Sequence, residues 1–508
     1  MEFLVAILLL VASVWGILFV RRSGFLGMVL ATMLIGCCFG HPFWHASLGP
    51  LPLTLDRLLV ACLTLVYVVA RVRGKWLEPK EVRKADILLL IMLAIFGVST
   101  FTHAWQIERQ QPLSKLAFLW LMPAALYWIT RQIRFREAQV SVLYWSFAGL
   151  GVYLGLTALA ETRDWNWMIF PKYISSATYA EFLGRGRGPF LNPVGNGLFL
   201  TASLASTMLI WPSVRWRGRL VVVLCAAIQA IGIYSTYTRS VWLGAALVSI
   251  GVVLYLLPMR LRAPAIATAM IFSIAAVATQ WESLLAFKRD KDGDAEMTLD
   301  SVKLRPILAY VSWQMFLDRP LAGCGFGQYN SAVRNYIYDR STPLQLGRAR
   351  DFVPHNVFLA IVTETGLIGL VAFLGLLGAW TRNCFRQLTR PRLGPNARRQ
   401  ALVGLAVIGC YTINGLFHDI SVIAMCNMLL FATAGFSAGI GGVRFNEFRS
   451  GRTDRRSASR RAARDAVCDP ATVGPTVATI GDGTGTCLAI VGDSTGSESL
   501  VASMQNEQ

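Results

Sequence analysis

Uninterrupted apolar runs recur along this chain from Val5 to Gly441. Most are about 17–25 residues long, the length a helix needs to cross a hydrocarbon core of ~30 Å. No other property narrows the fold as far. Backbone N–H and C=O groups in lipid must be satisfied within the protein, so a spanning segment is either a helix or a strand of a closed barrel. The short alternating segments of an outer-membrane barrel are absent from the sequence. The expectation is therefore an all-α polytopic membrane protein of about 12–13 transmembrane helices, with one large, partly helical outer loop. Composition agrees: 54% of the 508 residues are hydrophobic and only 15% are charged, against about a quarter in soluble domains. The first run follows Met1-Glu2 without the basic start of a cleavable signal and is read as a retained helix.

A net charge of +19 suggests a nucleic-acid partner until its placement is considered. Basic clusters at Arg21-Arg22, 71–84, 131–136, 215–219, 260–262, 382–399 and beyond Arg444 fall on every second connection between apolar runs. That is the positive-inside pattern, and it assigns those connections to the cytoplasm. The alternate connections then face outward, including 161–189 and the long stretch 283–354. Four parts are expected: N-terminal membrane helices over 1–282, an outer loop over 283–354, C-terminal membrane helices over 355–441 and a cytoplasmic tail over 442–508. The tail turns from arginine-rich to Gly, Thr, Ser and Ala, a composition poor in core-forming residues. The ten cysteines are scattered, with no CxxC spacing for a metal or redox centre.

Within the outer loop, Leu304, Leu308, Val311 and Met315 recur at helical spacing over 301–320, with Trp313 and Phe316 adding an apolar edge. The spacing predicts an amphipathic helix ending at Asp318-Arg319-Pro320, of a kind able to lie on a membrane surface. The glycine-rich "GCGFGQYN" follows. It lacks the strand–turn–helix context of a dinucleotide fingerprint. "DKDGDAE" at 290–296 misplaces the glycine of a calcium loop and reads as a solvated acidic turn. His41 and His45 stand four apart without an acidic neighbour, a poor metal pair. His355 differs from the other histidines because it stands where an apolar run begins, directly after the loop and Pro354. An imidazole held there suits a general base. Arg185 and Arg187 precede the seventh run, Arg239 opens the ninth, and Arg305 lies on the predicted loop helix. Arginine near hydrocarbon usually has a partner or a task, and its fork matches phosphate oxygens.

Four pieces in order carry a resemblance: "RGPFLNPVGNG", "STYTRSVWLG", "LRPILAYVSWQMFLDRPLAGCGFGQYN" and "HNVFLAIVTETGLIGL". Together they resemble the O-antigen ligase and O-antigen polymerase superfamily of bacterial envelope glycosyltransferases, over about residues 180–380. Tyr237-Thr238 stands before Arg239 where Ser is common in the family. The resemblance implies transfer of a glycan from an undecaprenyl-pyrophosphate donor to an acceptor hydroxyl, at the periplasmic face of the bacterial inner membrane. The acceptor would be a glycan, a lipid or a protein. The transfer would invert the anomeric carbon and need neither metal nor cofactor. It implies His355 as the catalytic base and Arg239 and Arg305 as pyrophosphate ligands, with Arg187 a further donor contact. Asn356 and Glu364 would support the site. Ligase and polymerase share these motifs. A transporter or flippase of lipid-linked sugars is the reading of a different class; it predicts internal pseudo-symmetry and helices broken at the midplane, neither of which is visible in the sequence.

Overall fold

The computed structural model describes residues 2–40, 42–48, 51–74, 81–103, 112–133, 135, 137–286, 295–339, 341–350, 352–390, 393–440, 480–481 and 487–488. The chain divides into two units, Met1–Val443 and Arg444–Gln508. The first is a helical bundle. Its helices are α1 (Glu2–Cys38), α2 (Leu55–Val72), α3 (Lys84–Phe101), α4 (Pro112–Lys115), α5 (Met122–Gln132), α6 (Glu137–Thr162), α7 (Pro193–Ile210), α8 (Trp216–Ser235), α9 (Arg239–Leu256), α10 (Met259–Ala286), α11 (Ala295–Asp318), α12 (Tyr329–Ala332), α13 (Val357–Thr389), α14 (Pro395–Phe417) and α15 (Ala424–Ile440). A π-helical stretch, Leu116–Leu121, joins α4 to α5. A short hairpin of β1 (His45–Leu48) and β2 (Leu51–Thr54) pairs His45 with Thr54 and Leu48 with Leu51. In the second unit only β3 (Ile480–Gly481) and β4 (Cys487–Leu488) are described, paired antiparallel. The composition reading of the tail, the acidic stretch 290–294 and His41 thus lie outside the described residues.

The all-α polytopic architecture expected from the apolar runs is what the bundle shows. Among the described residues, nine helices are long and apolar enough to cross a membrane, fewer than the number of apolar runs. α2 falls short because it carries Asp56, Arg57 and Arg71, and α15 because it has 17 residues. The two runs before Cys38 form one helical stretch, broken at Gly24, whose φ of 61° lies in the left-handed region.

α7 is the axis. Asn192 caps it by accepting hydrogen bonds from the amides of Val194 (2.9 Å) and Gly195 (3.1 Å), and Pro193 supplies a ready-made first-turn φ. It packs against α6, α8, α9 and α14, so all but one of its residues are buried. Two of its hydroxyls are returned to its own backbone, Thr201 Oγ1 to Gly197 O (2.8 Å) and Ser206 Oγ to Ala202 O (2.9 Å). On the other side of the bundle α3 and α5 share a buried ion pair. Arg131 Nη2 lies 2.9 Å from Asp86 Oδ2, and the Tyr127 hydroxyl donates to Asp86 Oδ1 at 2.8 Å.

The loop helix expected over 301–320 is α11. Leu304, Ile307, Leu308, Val311 and Met315 line one face and are buried against Tyr329, Val333, Ile337, Leu346 and Ala349. The loop therefore has a hydrophobic core of its own at one end of the bundle.

Candidate active site

Arg239 is the first residue of α9 and Arg305 sits in the middle of α11. The fold brings them to one cavity of about 230 Å³, lined by both arginines with Ser240, Leu243, Phe417 and His418. Burial, together with the facing Arg239 guanidinium, pulls Arg305 below the usual arginine range. Two like charges held together in a partly dry cavity favour an anion between them. The buried Ser240 hydroxyl makes no hydrogen bond within the protein and adds a donor to the same wall. Neither Ser240 nor His418 is singled out by the sequence motifs.

Arg185 and Arg187, two residues apart, go to different places. Arg187 is 0% exposed. Its Nε lies 3.5 Å from Glu161 Oε1, and its other nitrogens donate to the carbonyls of Tyr179, Glu181 (2.6 Å) and Ile174 (2.6 Å). Glu161 also accepts from Gly188 N at 2.8 Å. These bonds make Arg187 an internal clamp on the 161–188 connection, and it does not line the Arg239–Arg305 cavity. Arg185 donates from Nε to Thr236 O (3.3 Å), and from Nη2 to Tyr237 O (3.4 Å) and Thr238 Oγ1 (2.6 Å). Those three residues form the turn that delivers Arg239, and Tyr237 holds a φ of 45° there. Such a conformation in a bulky residue persists only when its surroundings fix it, and Arg185 is the fixture.

His355 stands half-buried in the turn before α13. The next residue, Asn356, caps that helix by accepting from the amides of Phe358 (2.8 Å) and Leu359 (3.0 Å). Its Nδ2 donates to Leu416 O at 2.9 Å. One side chain thus starts α13 and ties that start to the end of α14, where Phe417 and His418 line the arginine cavity. On the other side of this turn, Val353 and Pro354 border a small cavity of about 40 Å³ that also contains Lys115, Tyr329, Glu364, Asp419 and Ser421. Burial raises the Asp419 carboxyl to about 6; nearby Glu364 pushes the same way, while hydrogen bonds from Ser421 oppose the rise. Sequence reasoning passed over Asp419; its place directly after His418, in a short connection between two apolar runs, was the available signal.

Glu364 has a structural task. α13 is interrupted at Gly366 (φ 66°, ψ −169°), and the glycine-rich turn after α11 fills the gap. Cys324 N donates to Thr363 O (2.9 Å) and Gly325 N to Glu364 O (2.9 Å), while Leu367 N and Ile368 N donate to Pro320 O (2.8 Å) and Leu321 O (3.3 Å). The Glu364 carboxylate accepts from Gly327 N at 2.9 Å. Two motifs some forty residues apart in sequence are therefore the two halves of one main-chain joint. The joint seats the loop, and with it Arg305, on the bundle. Among the described residues no three His, Cys, Asp or Glu side chains are grouped as a metal site needs.

The class these features define is a polytopic helical membrane protein with a basic cavity where a structured loop meets the bundle. Residues 221–374 match the model of the family described as O-antigen ligase, so the chain carries an O-antigen ligase-like region. The match runs from α8 to α13 and takes in Arg239, Arg305, His355, Asn356 and Glu364; Arg185 and Arg187 precede it and His418 follows it. A search of the curated proteins finds no match to the chain.

Proposed function

We propose that this protein is a membrane glycosyltransferase that moves a glycan from an undecaprenyl-pyrophosphate donor to an acceptor hydroxyl at the periplasmic face of the inner membrane, as an O-antigen ligase does. The observation that carries the reading is the convergence of Arg239, Arg305 and Ser240 on one cavity. The family match supports its glycosyltransferase character. In this reading the guanidinium forks hold the two phosphates. His355 takes the proton of the acceptor hydroxyl as its oxygen attacks the anomeric carbon from the face opposite the pyrophosphate. The new glycosidic bond forms as the bond to the phosphate oxygen breaks, and the leaving pyrophosphate carries away the electron pair. Preorganised positive charge is needed only where that charge develops, so no metal is invoked. Asn356 and Glu364 act by position, through the helix cap and the loop joint. Arg187 serves as scaffold. The break in α13 is filled by loop backbone, which gives it a structural task in seating the loop.

Three measurements bear on this. Deleting the gene and analysing the surface glycan tests the reaction: full-length lipid-linked polymer should accumulate. Accumulation of single lipid-linked repeats would reassign the protein to polymerisation, and an unchanged glycan profile would remove the proposal. Arg239→Ala and Arg305→Ala should each lower transfer by about 10²-fold, the scale for losing a preorganised donor to developing charge. Lysine at either position should recover little of that, because the bidentate fork is lost; full activity in the lysine variants would count against phosphate recognition. Arg185→Met should lower transfer about tenfold by raising donor KM, since loss of three hydrogen bonds at about 1 kcal/mol each loosens the Arg239 turn. Loss of kcat with KM unchanged would place Arg185 elsewhere in the mechanism.

A further inference from the structure

α11 is apolar on two opposite faces. One is buried in the loop's own core. The other presents Ala309, Trp313 and Leu317, all exposed, with Trp313 52% accessible. At 3.6 residues per turn Trp313 emerges about 180° from Leu304. A helix apolar all round is stable only when both sides are covered, and a contiguous exposed apolar patch marks a contact surface.

The outward stripe does not stop at the end of α11. It continues into Leu321, which is 61% exposed. The joint then stitches Pro320 and Leu321 by their carbonyls to the amides of Leu367 and Ile368. From there the exposed apolar surface runs on down α13 through Leu367, Ile368, Val371 (59% exposed) and Leu374. α13 is among the helices long and apolar enough to span. Its 33 residues measure about 50 Å, well beyond a hydrocarbon core of ~30 Å. Counted back from Arg382, where the basic connection begins, about 20 helical residues at ~1.5 Å each reach Val362. On that count the loop-side boundary falls about one turn before Gly366, close to the level where the loop stripe joins the helix.

We propose that the outward face of α11, with Trp313, Leu317 and the adjoining Leu321, is seated in the lipid leaflet on the loop side, as an interfacial helix continuous with the lipid-facing surface of α13. Tryptophan and leucine are the residues such a face uses, with the ring at the headgroup boundary. Asp318 and Arg319 follow at the end of the helix and are exposed. Arg305 lies on the flank between the buried and outward faces, so the seating fixes its guanidinium at headgroup depth. That is where the phosphates of a lipid-linked donor lie, a consequence that rests on the function proposed above; the seating itself rests only on α13 being a span.

The test uses the full chain with the photoreactive residue p-benzoylphenylalanine replacing Trp313, Leu317, Val371 or Tyr338 one at a time. Each variant is reconstituted in phosphatidylethanolamine–phosphatidylglycerol vesicles and irradiated. Val371 is the positive control, and Tyr338, 75% exposed on the loop but off the stripe, the negative one. Lipid adducts at 313 and 317 should exceed those at 338 by at least about tenfold and approach those at 371, as expected for a side chain in the interface. Lipid adducts at 371 with none above the 338 level at 313 and 317 would overturn the proposal. So would adducts with a second copy or another protein. If a variant fails to insert, the same probe at Ala309 on the same face replaces it. No arm of the test measures transfer, so failure of the seating and failure of the proposed reaction are read separately.

Discussion

Replacing His355 with alanine is expected to lower glycan transfer by about 10²–10⁴-fold or more, the range for losing a positioned proton acceptor, while the protein remains folded in the membrane. The turn around His355 is secured by its neighbour. Asn356 makes both the cap hydrogen bonds to Phe358 and Leu359 and the tie to Leu416, and these bonds are made by the Asn356 side chain. Two variants therefore separate chemistry from support. His355→Ala should leave thermal stability in detergent close to wild type with transfer lost. Asn356→Ala should cost about 1 kcal/mol of stability, as removal of a good cap does, with a smaller drop in transfer. Unimpaired transfer by His355→Ala would end the general-base assignment. Equal stability losses in both variants would make His355 part of the turn's architecture.

The second large effect lies away from any proposed chemistry. Gly366→Ala should destabilise the protein by about 2–3 kcal/mol or more, because its backbone occupies a region essentially reserved for glycine. Its φ of 66° and ψ of −169° are set by the break in α13. An added Cβ would also stand 2.1 Å from Leu321 O, inside the joint. Gly323, across the joint with a φ of 70°, faces the same problem against the backbone of Glu364. Gly378 on the same helix is the control, since a Cβ there meets nothing within 4 Å. Thermal unfolding in detergent should show Gly366→Ala well below wild type and Gly378→Ala level with it. Similar midpoints for the two variants would show that the loop is not held by this joint.

The sequence made the architecture legible wherever a local property determines the outcome. Apolar length marked the helices, and the spacing of Leu304, Leu308, Val311 and Met315 marked the buried face of α11. What it concealed is non-local. Arg185 and Arg187 share a motif and a residue type, yet one holds the Arg239 turn and the other an internal carboxylate. Their shared motif does not distinguish them, because Thr238 and Glu161 are brought up by folding. Glu364 was named through the resemblance as a supporting residue, but its partner is a backbone amide on a distant glycine turn, and main-chain pairing leaves little trace in side-chain pattern. His418 and Ser240 went unmarked for a similar reason: each gains its meaning where the start of α9, the middle of α11 and the end of α14 meet, and Asp419 gains its own from the neighbouring cavity with Glu364 and Lys115. The outward stripe of α11 was partly legible through Trp313. Its continuity with α13 was not, since that depends on the break at Gly366.

The Asp86–Arg131 pair bears on how the bundle is held together. Each charge belongs to a different helix, and a lone carboxylate or guanidinium carried toward lipid is costly, whereas the neutralised pair is far less so. The pair stands at the start of α3 and the end of α5, and the Tyr127 hydroxyl closes the carboxylate's second oxygen. Removing either partner strands the other as a buried unpaired charge, so the two helix ends are held together or both disturbed.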